Sequence, residues 1–196
     1  MKMYTRCMAT LGLSLALAGG AVLNCAAAEL EGQRFEEQAS LANQTLKLNG
    51  LGVRAVFIFK AYVAGLYLPE KNSVSADILQ HLGPKRLQLR PLMELSASDI
   101  KKALIDGVRK NAGEAQWAAL QDRALALGRT IDTIGTSKPG DIITLDYVPQ
   151  QGMVLAINNQ PKGAPVPGAD FYTAVLEIFI GNSPVDTRLK KGLLGQ

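Results

Sequence analysis

Two adjacent apolar segments constrain the fold of this chain more than any other feature. Val53–Phe59 and Ala61–Leu68 are rich in β-branched and aromatic residues, and apolar side chains occupy both odd and even positions. A strand with one face in water alternates apolar and polar residues, whereas a strand covered on both faces does not. The two segments therefore predict a pair of central β-strands with a layer of structure on each side.

Other segments predict further strands. Thr45–Leu48 is expected to form a short strand that ends in a turn at Asn49-Gly50. Lys85–Met93 alternates more cleanly, so we expect one of its faces to contact water. Asp141–Val148 and Met153–Ile157 form the remaining predicted pair, separated by a short turn.

The first helix is predicted by its start signal and its periodicity. Ser96 and Asp99 have the spacing of a capping box, in which a side chain satisfies a free N–H of the first turn. Apolar or small residues then recur at intervals of three and four, which predicts one apolar stripe. These residues are Ile100, Ala103, Leu104, Gly107 and Val108.

Three more helices follow from the same periodicity. One contains Trp117 and is expected to end at Gly128, and another begins near Tyr172 and ends at Gly181. The last is expected to have Ser183-Pro184 at its N-cap and first position and to end at Gly192. The order of strands, helices, strands and helices predicts an α+β fold with an antiparallel sheet and argues against alternating βαβ units.

The N-terminus has the pattern of a secretory signal peptide. Positive residues near the start precede the uncharged stretch Cys7–Leu23, and Ala26-Ala27-Ala28 provides small residues for cleavage before Glu29. We expect residues 1–28 to be removed and residues 29–196 to form one domain in the periplasm or outside the cell. A lipoprotein start at Cys25 is the alternative, but Asn24 is a bulky polar residue where a small one is required.

Removal of the signal changes the chemistry that is available to the chain. Cys7 and Cys25 both lie within residues 1–28, so no disulfide or thiolate metal site is expected in the mature domain. Lys2 and Arg6 are removed as well, so the 21 basic residues become 19 against 17 acidic residues, and the net charge falls to about +2. We therefore expect no nucleic-acid partner, no metal and no cofactor, and no other segment has the length and apolarity of a membrane span.

Three segments follow one another in a characteristic order. They are the strand entry at 48–54 (LNGLGVR), the following strand at 62–68 (YVAGLYL) and the helix at 175–181 (VLEIFIG), after which Ser183-Pro184-Val185 continues toward the last helix. Together they resemble the chalcone isomerases. The resemblance extends over roughly residues 44–194. It implies the family fold, an open-faced sandwich in which a large antiparallel sheet packs against a layer of helices, with the ligand cleft between them.

The same resemblance implies that catalytic side chains are missing. The family's strand arginine corresponds to Arg54, but its strand threonine corresponds to Tyr62. The catalytic tyrosine, lysine and asparagine of the helix correspond to Ile100, Ala103 and Gly107, and the polar residue of the penultimate helix corresponds to Ile178. We therefore expect these six residues to line a cleft that does not catalyse isomerisation.

Our leading hypothesis is a secreted, non-catalytic protein that binds a hydrophobic small molecule with an anionic head group, such as a fatty acid. Arg54 would anchor that group, or would instead form an internal salt bridge. The alternatives are an isomerase or lyase that uses Arg54 and Tyr62, and an envelope interaction protein with a vestigial cleft. An open apolar pocket that ends at Arg54 favours binding, whereas a cleft filled by large side chains favours interaction.

Overall fold

The computed structural model describes residues 27–196, so all but the last two residues of the predicted signal peptide lie outside it. The described residues form eleven strands and four helices. The strands are β1 (Ala27–Leu30), β2 (Gln33–Glu36), β3 (Gln38–Leu41), β4 (Gln44–Val56), β5 (Phe59–Leu68), β6 (Lys85–Pro91), β7 (Leu95–Ser96), β8 (Thr136–Ser137), β9 (Ile143–Val148), β10 (Gly152–Ile157) and β11 (Gln160–Pro161). The helices are α1 (Ser75–Gln80), α2 (Ala97–Asp132), α3 (Ala169–Ile180) and α4 (Thr187–Leu193).

Seven strands form one antiparallel sheet in the order β11-β10-β9-β6-β5-β4-β3. The main core lies between one face of this sheet and the helices α2, α3 and α4. The predicted α+β architecture, an antiparallel sheet packed against a layer of helices, is confirmed.

Strand β5 shows why the central strands are apolar on both faces. Ala64, Leu66 and Leu68 belong to the core under the helices, whereas Val63 and Tyr67 belong to a second cluster on the opposite face. The β1–β2 hairpin covers that second face with Phe35, which is completely buried. The prediction of a layer on each side of the central strands is therefore confirmed.

The predicted turn at Asn49-Gly50 is wrong, because the chain continues through it in one long strand. Leu48 pairs with Tyr67 and Gly50 pairs with Leu66, so Asn49 is an extra residue in β4 and forms a β-bulge. The Asn49 side chain is buried, where it donates to the carbonyls of Asn72 and Leu193 and accepts from the Asn72 N–H. These bonds replace the turn as the reason for an asparagine at this position.

The two predicted helices over residues 97–128 form one helix with a break at Gly113. Gly113 has φ +69° and ψ 173°, which is far from helical and is accessible to glycine. The predicted capping of α2 is confirmed, since the Ser96 hydroxyl accepts a hydrogen bond from the Asp99 N–H. The predicted end at Gly128 is wrong: Gly128 stays helical and the helix continues to Asp132 because Ile131 in this last turn is buried against the core.

Helix α4 also begins later than predicted. Its N-cap is Asp186, whose carboxylate accepts from the N–H groups of Arg188 and Leu189, so Ser183-Pro184 belongs to the preceding loop. The helix lies directly against β4 because both sides of the contact are glycines. A Cβ at Gly50 would lie 2.1 Å from the Gly192 oxygen, closer than any real contact. This packing brings Asp186 beside Arg54 on β4.

Candidate functional site

A cavity of about 270 Å³ lies between the sheet and the helices, at the end of the sheet where β4 stops and β5 begins. Strands β4, β5, β6, β9 and β10 form its floor, and α2, α3 and the loops beside them form its walls. The lining is almost entirely aliphatic and aromatic. Its polar members are Arg54, Tyr62, Asp99 and Ser137.

Arg54 and Tyr62 are directly opposite each other on neighbouring strands. Residues that pair across an antiparallel ladder point to the same face of the sheet. Both side chains therefore reach the cavity from one end of the floor, as the family resemblance implied. Tyr67 belongs to the cluster on the other face of the sheet, so only one of the two tyrosines of β5 contributes to the site.

Arg54 pairs with Asp186 within the chain, but it does so through only one nitrogen atom of its guanidinium. Its Nη1 lies 3.4 Å from Oδ2 of Asp186 and also donates to the carbonyl of Ala55. Within residues 27–196, no acceptor contacts its Nε or Nη2. A bidentate arginine–carboxylate pair uses two parallel bonds of about 2.7–2.9 Å, so the pair with Asp186 is a loose one.

Asp186 does not depend on Arg54 for its charge. Partial burial by itself would raise the pKa of this carboxyl, but hydrogen bonds from the N–H groups of Leu189, Ala55 and Arg188, and then the charge of Arg54, hold the pKa below its ordinary value. The backbone donors are the larger favourable contribution. Asp186 thus remains an anion. Arg54 can bind a second acceptor while the Asp186 carboxylate keeps its hydrogen bonds from the backbone.

Tyr62 is a neutral hydrogen-bond group at any physiological pH. Burial raises the pKa of its phenol far above the ordinary value, Arg54 opposes this and Asp186 adds to it. The hydroxyl has no hydrogen-bond partner among the described residues, so it is free to donate into the cavity. A phenol with a raised pKa donates a hydrogen bond but does not act as a base.

The structure brings together five of the six residues that the sequence indicated. Arg54, Tyr62, Ile100, Ala103 and Ile178 all line the cavity. Gly107 does not, because it lies where α2 meets α3. A Cβ at Gly107 would lie 2.9 Å from two carbon atoms of the Ile178 side chain, so the glycine permits close packing of the two helices and forms no part of the wall.

Sequence reasoning missed three polar groups near the cavity. Asp186 was missed because its neighbours Ser183-Pro184 gave a competing helix-start signal. Ser137 is 1% exposed, and its hydroxyl has no hydrogen-bond partner among the described residues. Asp99 lies at the rim, where its carboxylate accepts from the Ser96 hydroxyl at 2.6 Å.

Residues 27–196 contain neither a cluster of metal ligands nor a membrane-spanning helix. No group of three or more His, Cys, Asp or Glu side chains is arranged to hold a metal ion there. None of the described helices combines the length and the apolarity that crossing a membrane requires.

The fold and the cavity define a class of protein, an α+β sandwich that encloses an apolar pocket with one cation at its end. The sequence profile described as chalcone isomerase-like matches residues 27–195, so the chain belongs to the chalcone isomerase-like family. Comparison with curated protein sequences gave no significant match.

A solved structure shares the fold. It is the crystal structure of a fatty-acid binding protein of Arabidopsis thaliana, with a TM-score of 0.70 and 13% sequence identity. The similarity covers 86% of this chain and 96% of that one. At this identity the similarity establishes the fold, and it confirms the architecture that the sequence predicted.

Proposed function

We propose that this chain is a non-catalytic binding protein for a hydrophobic small molecule with an anionic head group, such as a fatty acid. The observation that carries the proposal is the combination of an open apolar cavity with a single loosely paired arginine at one end. Apolar walls with a few converging polar groups are typical of small-molecule sites. The structural similarity to a fatty-acid binding protein supports the same class of ligand.

The size of the cavity limits the ligand. A volume of about 270 Å³ accommodates roughly nine groups of the size of a water molecule or a methylene, at about 30 Å³ each. A saturated acid of about seven carbons, with its two oxygens, fills this space, and a longer chain would extend past the rim. The free edge of the Arg54 guanidinium and the neutral Tyr62 hydroxyl would donate to the carboxylate.

The two alternatives are less well supported. An isomerase or lyase needs a general base within reach of its substrate. Asp99 is the one carboxylate in the cavity lining, and it is exposed and bonded to Ser96 at the start of α2. An interaction protein with a vestigial cleft would have the cleft filled by large side chains, whereas small and aliphatic residues such as Ala103 leave this one open.

We also propose that the protein is exported to the periplasm or beyond and that the signal is removed near Ala28. Strand β1 begins at Ala27, so cleavage after Ala28 would leave Glu29 and Leu30 of this strand. N-terminal sequencing of the exported protein is expected to give Glu29. An acylated start at Cys25 would contradict the proposal and indicate a lipoprotein.

Replacement of Arg54 tests the binding proposal. Decanoic acid and decanol are titrated into the protein and into Arg54→Ala, and the affinities are measured by calorimetry. Loss of a charge-assisted hydrogen bond should weaken the acid by about 1.5–3 kcal/mol, or about 10- to 150-fold, and should leave the alcohol nearly unchanged. Arg54→Lys should recover part of the loss, because an ammonium cannot reproduce the planar fork.

Arg109→Ala is the matched control. Arg109 also lies 3.4 Å from a carboxylate, that of Glu114, but it is on the outer surface and does not line the cavity. This variant should leave both affinities unchanged. Equal weakening of acid and alcohol by Arg54→Ala, with a large fall in melting temperature, would show that Arg54 is an internal salt-bridge residue. Turnover of a chalcone that depends on Arg54 would show that the protein is an enzyme.

A further inference from the structure

The turn between β4 and β5 exposes four consecutive large apolar side chains, Val56, Phe57, Ile58 and Phe59, which we call the apolar tip. Phe57 is 97% exposed, Ile58 86% and Phe59 62%. Burial of such side chains is the main driving force of folding, so a run of them in water is unfavourable for an isolated molecule. The tip therefore needs an explanation outside the folded chain.

The apolar tip is a concentrated patch. In residues 27–196, eight large hydrophobic side chains are exposed, and four of them are the tip. A fifth, Met93, lies in the loop after β6, which is joined to β5 by a hydrogen bond from the Leu92 N–H to the Ala61 carbonyl. The other three lie in separate segments, at Val74, Leu82 and Leu125.

The local backbone does not account for the phenylalanine. Phe57 has a φ of +55°, in the left-handed region that favours glycine and asparagine and is disfavoured for a bulky aromatic residue. A tight hairpin turn would be more stable with asparagine or glycine there. Neither the geometry of the turn nor packing in the core therefore explains why a large aromatic side chain occupies position 57.

We propose that the apolar tip inserts into the interfacial region of a lipid bilayer and holds the mouth of the cavity against it. Successive residues of a hairpin point to opposite faces, so the four side chains surround the end of the hairpin. A flat protein surface would cover the side chains on one face of the hairpin only, whereas the fluid acyl chains of a bilayer would cover all four side chains. Val56 belongs to both features, since it is part of the tip and also lines the cavity.

The charges near the tip indicate how it attaches. Lys60, the first charged residue after the tip, is paired with Glu31 at 2.7 Å, and Arg54 is paired with Asp186. The two cations nearest the tip in sequence are therefore both neutralised by carboxylates. The attachment is by insertion of apolar side chains and not by attraction to anionic lipids, so it should be weak, reversible and insensitive to salt.

Vesicle flotation tests the proposal on the purified, ligand-free protein, so the outcome is independent of the fatty-acid proposal. The protein should float with neutral phosphatidylcholine vesicles at low and high salt alike. Phe57→Ser and Ile58→Ser should each lower the partition constant between water and vesicles at least about tenfold. This is the effect of removing one large apolar side chain from an apolar environment. Leu82→Ser is the matched control, since Leu82 is 67% exposed and lies away from the tip; it should have no effect.

A fluorescent reporter tests insertion directly. The chain has one tryptophan, so Phe57→Trp in a Trp117→Phe background places the only indole at the tip. Its emission should shift to the blue with vesicles and be quenched by brominated lipid, and an indole at position 82 should show neither change. Absence of vesicle binding by the native protein would overturn the proposal. Dimers that the tip variants dissociate, without vesicle binding, would instead identify the tip as a contact between two copies.

Discussion

Removal of the charge of Asp186 should tighten the binding of an anionic ligand. The substitution Asp186→Asn is suitable because asparagine is as good an N-cap as aspartate. Its side-chain oxygen can still accept from the N–H groups of Arg188 and Leu189, so α4 should begin at the same residue. What disappears is the anion 3.4 Å from Nη1 of Arg54, together with the bond that Oδ2 accepts from the Ala55 N–H at 3.3 Å.

The magnitude follows from the geometry of the pair. Two unit charges at 3.4 Å attract by about 1.2 kcal/mol at the dielectric constant of water and by about 5 kcal/mol at an effective value of 20. The Arg54 and Asp186 side chains are 22% and 13% exposed, so partial screening by water places the attraction between these two values. A ligand carboxylate on the free edge of the guanidinium competes with Asp186 for the same positive charge without displacing it, so the ligand gains only part of this energy when Asp186 is neutralised. The affinity of the ligand should therefore rise by about 1 kcal/mol, or roughly fivefold, in the variant.

Calorimetric titration with decanoic acid and decanol measures the effect. The acid should bind about fivefold more tightly to Asp186→Asn, whereas the uncharged alcohol should bind as it does to the native protein. Asp170→Asn is the control, because Asp170 is also a carboxylate at the start of a helix and also pairs with an arginine, Arg123, but lies outside the cavity lining. A loss of acid affinity in Asp186→Asn would refute the competition, since it would mean that Asp186 orients Arg54 for the ligand.

Two predictions concern stability. Burial lowers the pKa of Lys85 from 10.5 to about 8, so the unfolded chain holds this proton to higher pH and the free energy of unfolding should rise between pH 8 and about 10, by at most about 3 kcal/mol. Above pH 10 stability should fall, because burial raises the pKa of Tyr67 to about 12 and the unfolded chain loses the phenolic proton first. Denaturant titrations of the native protein and of Lys85→Met at several pH values measure both effects. An equal rise between pH 8 and about 10 in Lys85→Met would contradict the role of Lys85. Ser137→Ala should leave the stability of the ligand-free protein unchanged or raise it by up to about 1 kcal/mol, because it removes a buried hydroxyl without a partner in the described residues, and a clear loss in a melting experiment would reveal a bond to this hydroxyl.

The sequence predicted the sheet well because strand composition reflects burial on each face. Lys85–Met93 and Asp141–Val148 contain the observed strands β6 and β9 with errors of two residues at one end. The prediction of a water-exposed face on β6 is less accurate. Gln88 is buried, and Arg86 forms a bidentate pair with Asp146 on β9. A polar residue that has a partner on the neighbouring strand has the same sequence pattern as a solvated one.

The polar end of the cavity was only half predictable. Arg54 and Tyr62 lie on adjacent strands, and their match to the two strand residues of the family predicted that both line the cleft. Asp186 reaches Arg54 from 132 residues away, through the packing of α4 on the glycines of β4. The start of this helix was mispredicted because Ser183-Pro184 and Asp186 are both good helix-start signals, and tertiary contacts select between them.

The apolar tip was hidden by the same pattern that identified the central strands. Phe57, Ile58 and Phe59 extend the apolar run of β4 without any change in composition, so the sequence predicted buried strand where the structure has an exposed turn. The register explains the difference. Arg54 pairs with Tyr62 but Ala55 pairs with Lys60, so Ala61 is an extra residue of β5 and forms a bulge between the site and the tip. Bulges increase twist and redirect the strands beyond them. This one lets Ala61 and Tyr62, which are consecutive, both line the cavity, and it turns the rest of the hairpin past the rim. One inserted residue, invisible in a uniformly apolar run, thus separates the floor of the cavity from an exposed tip.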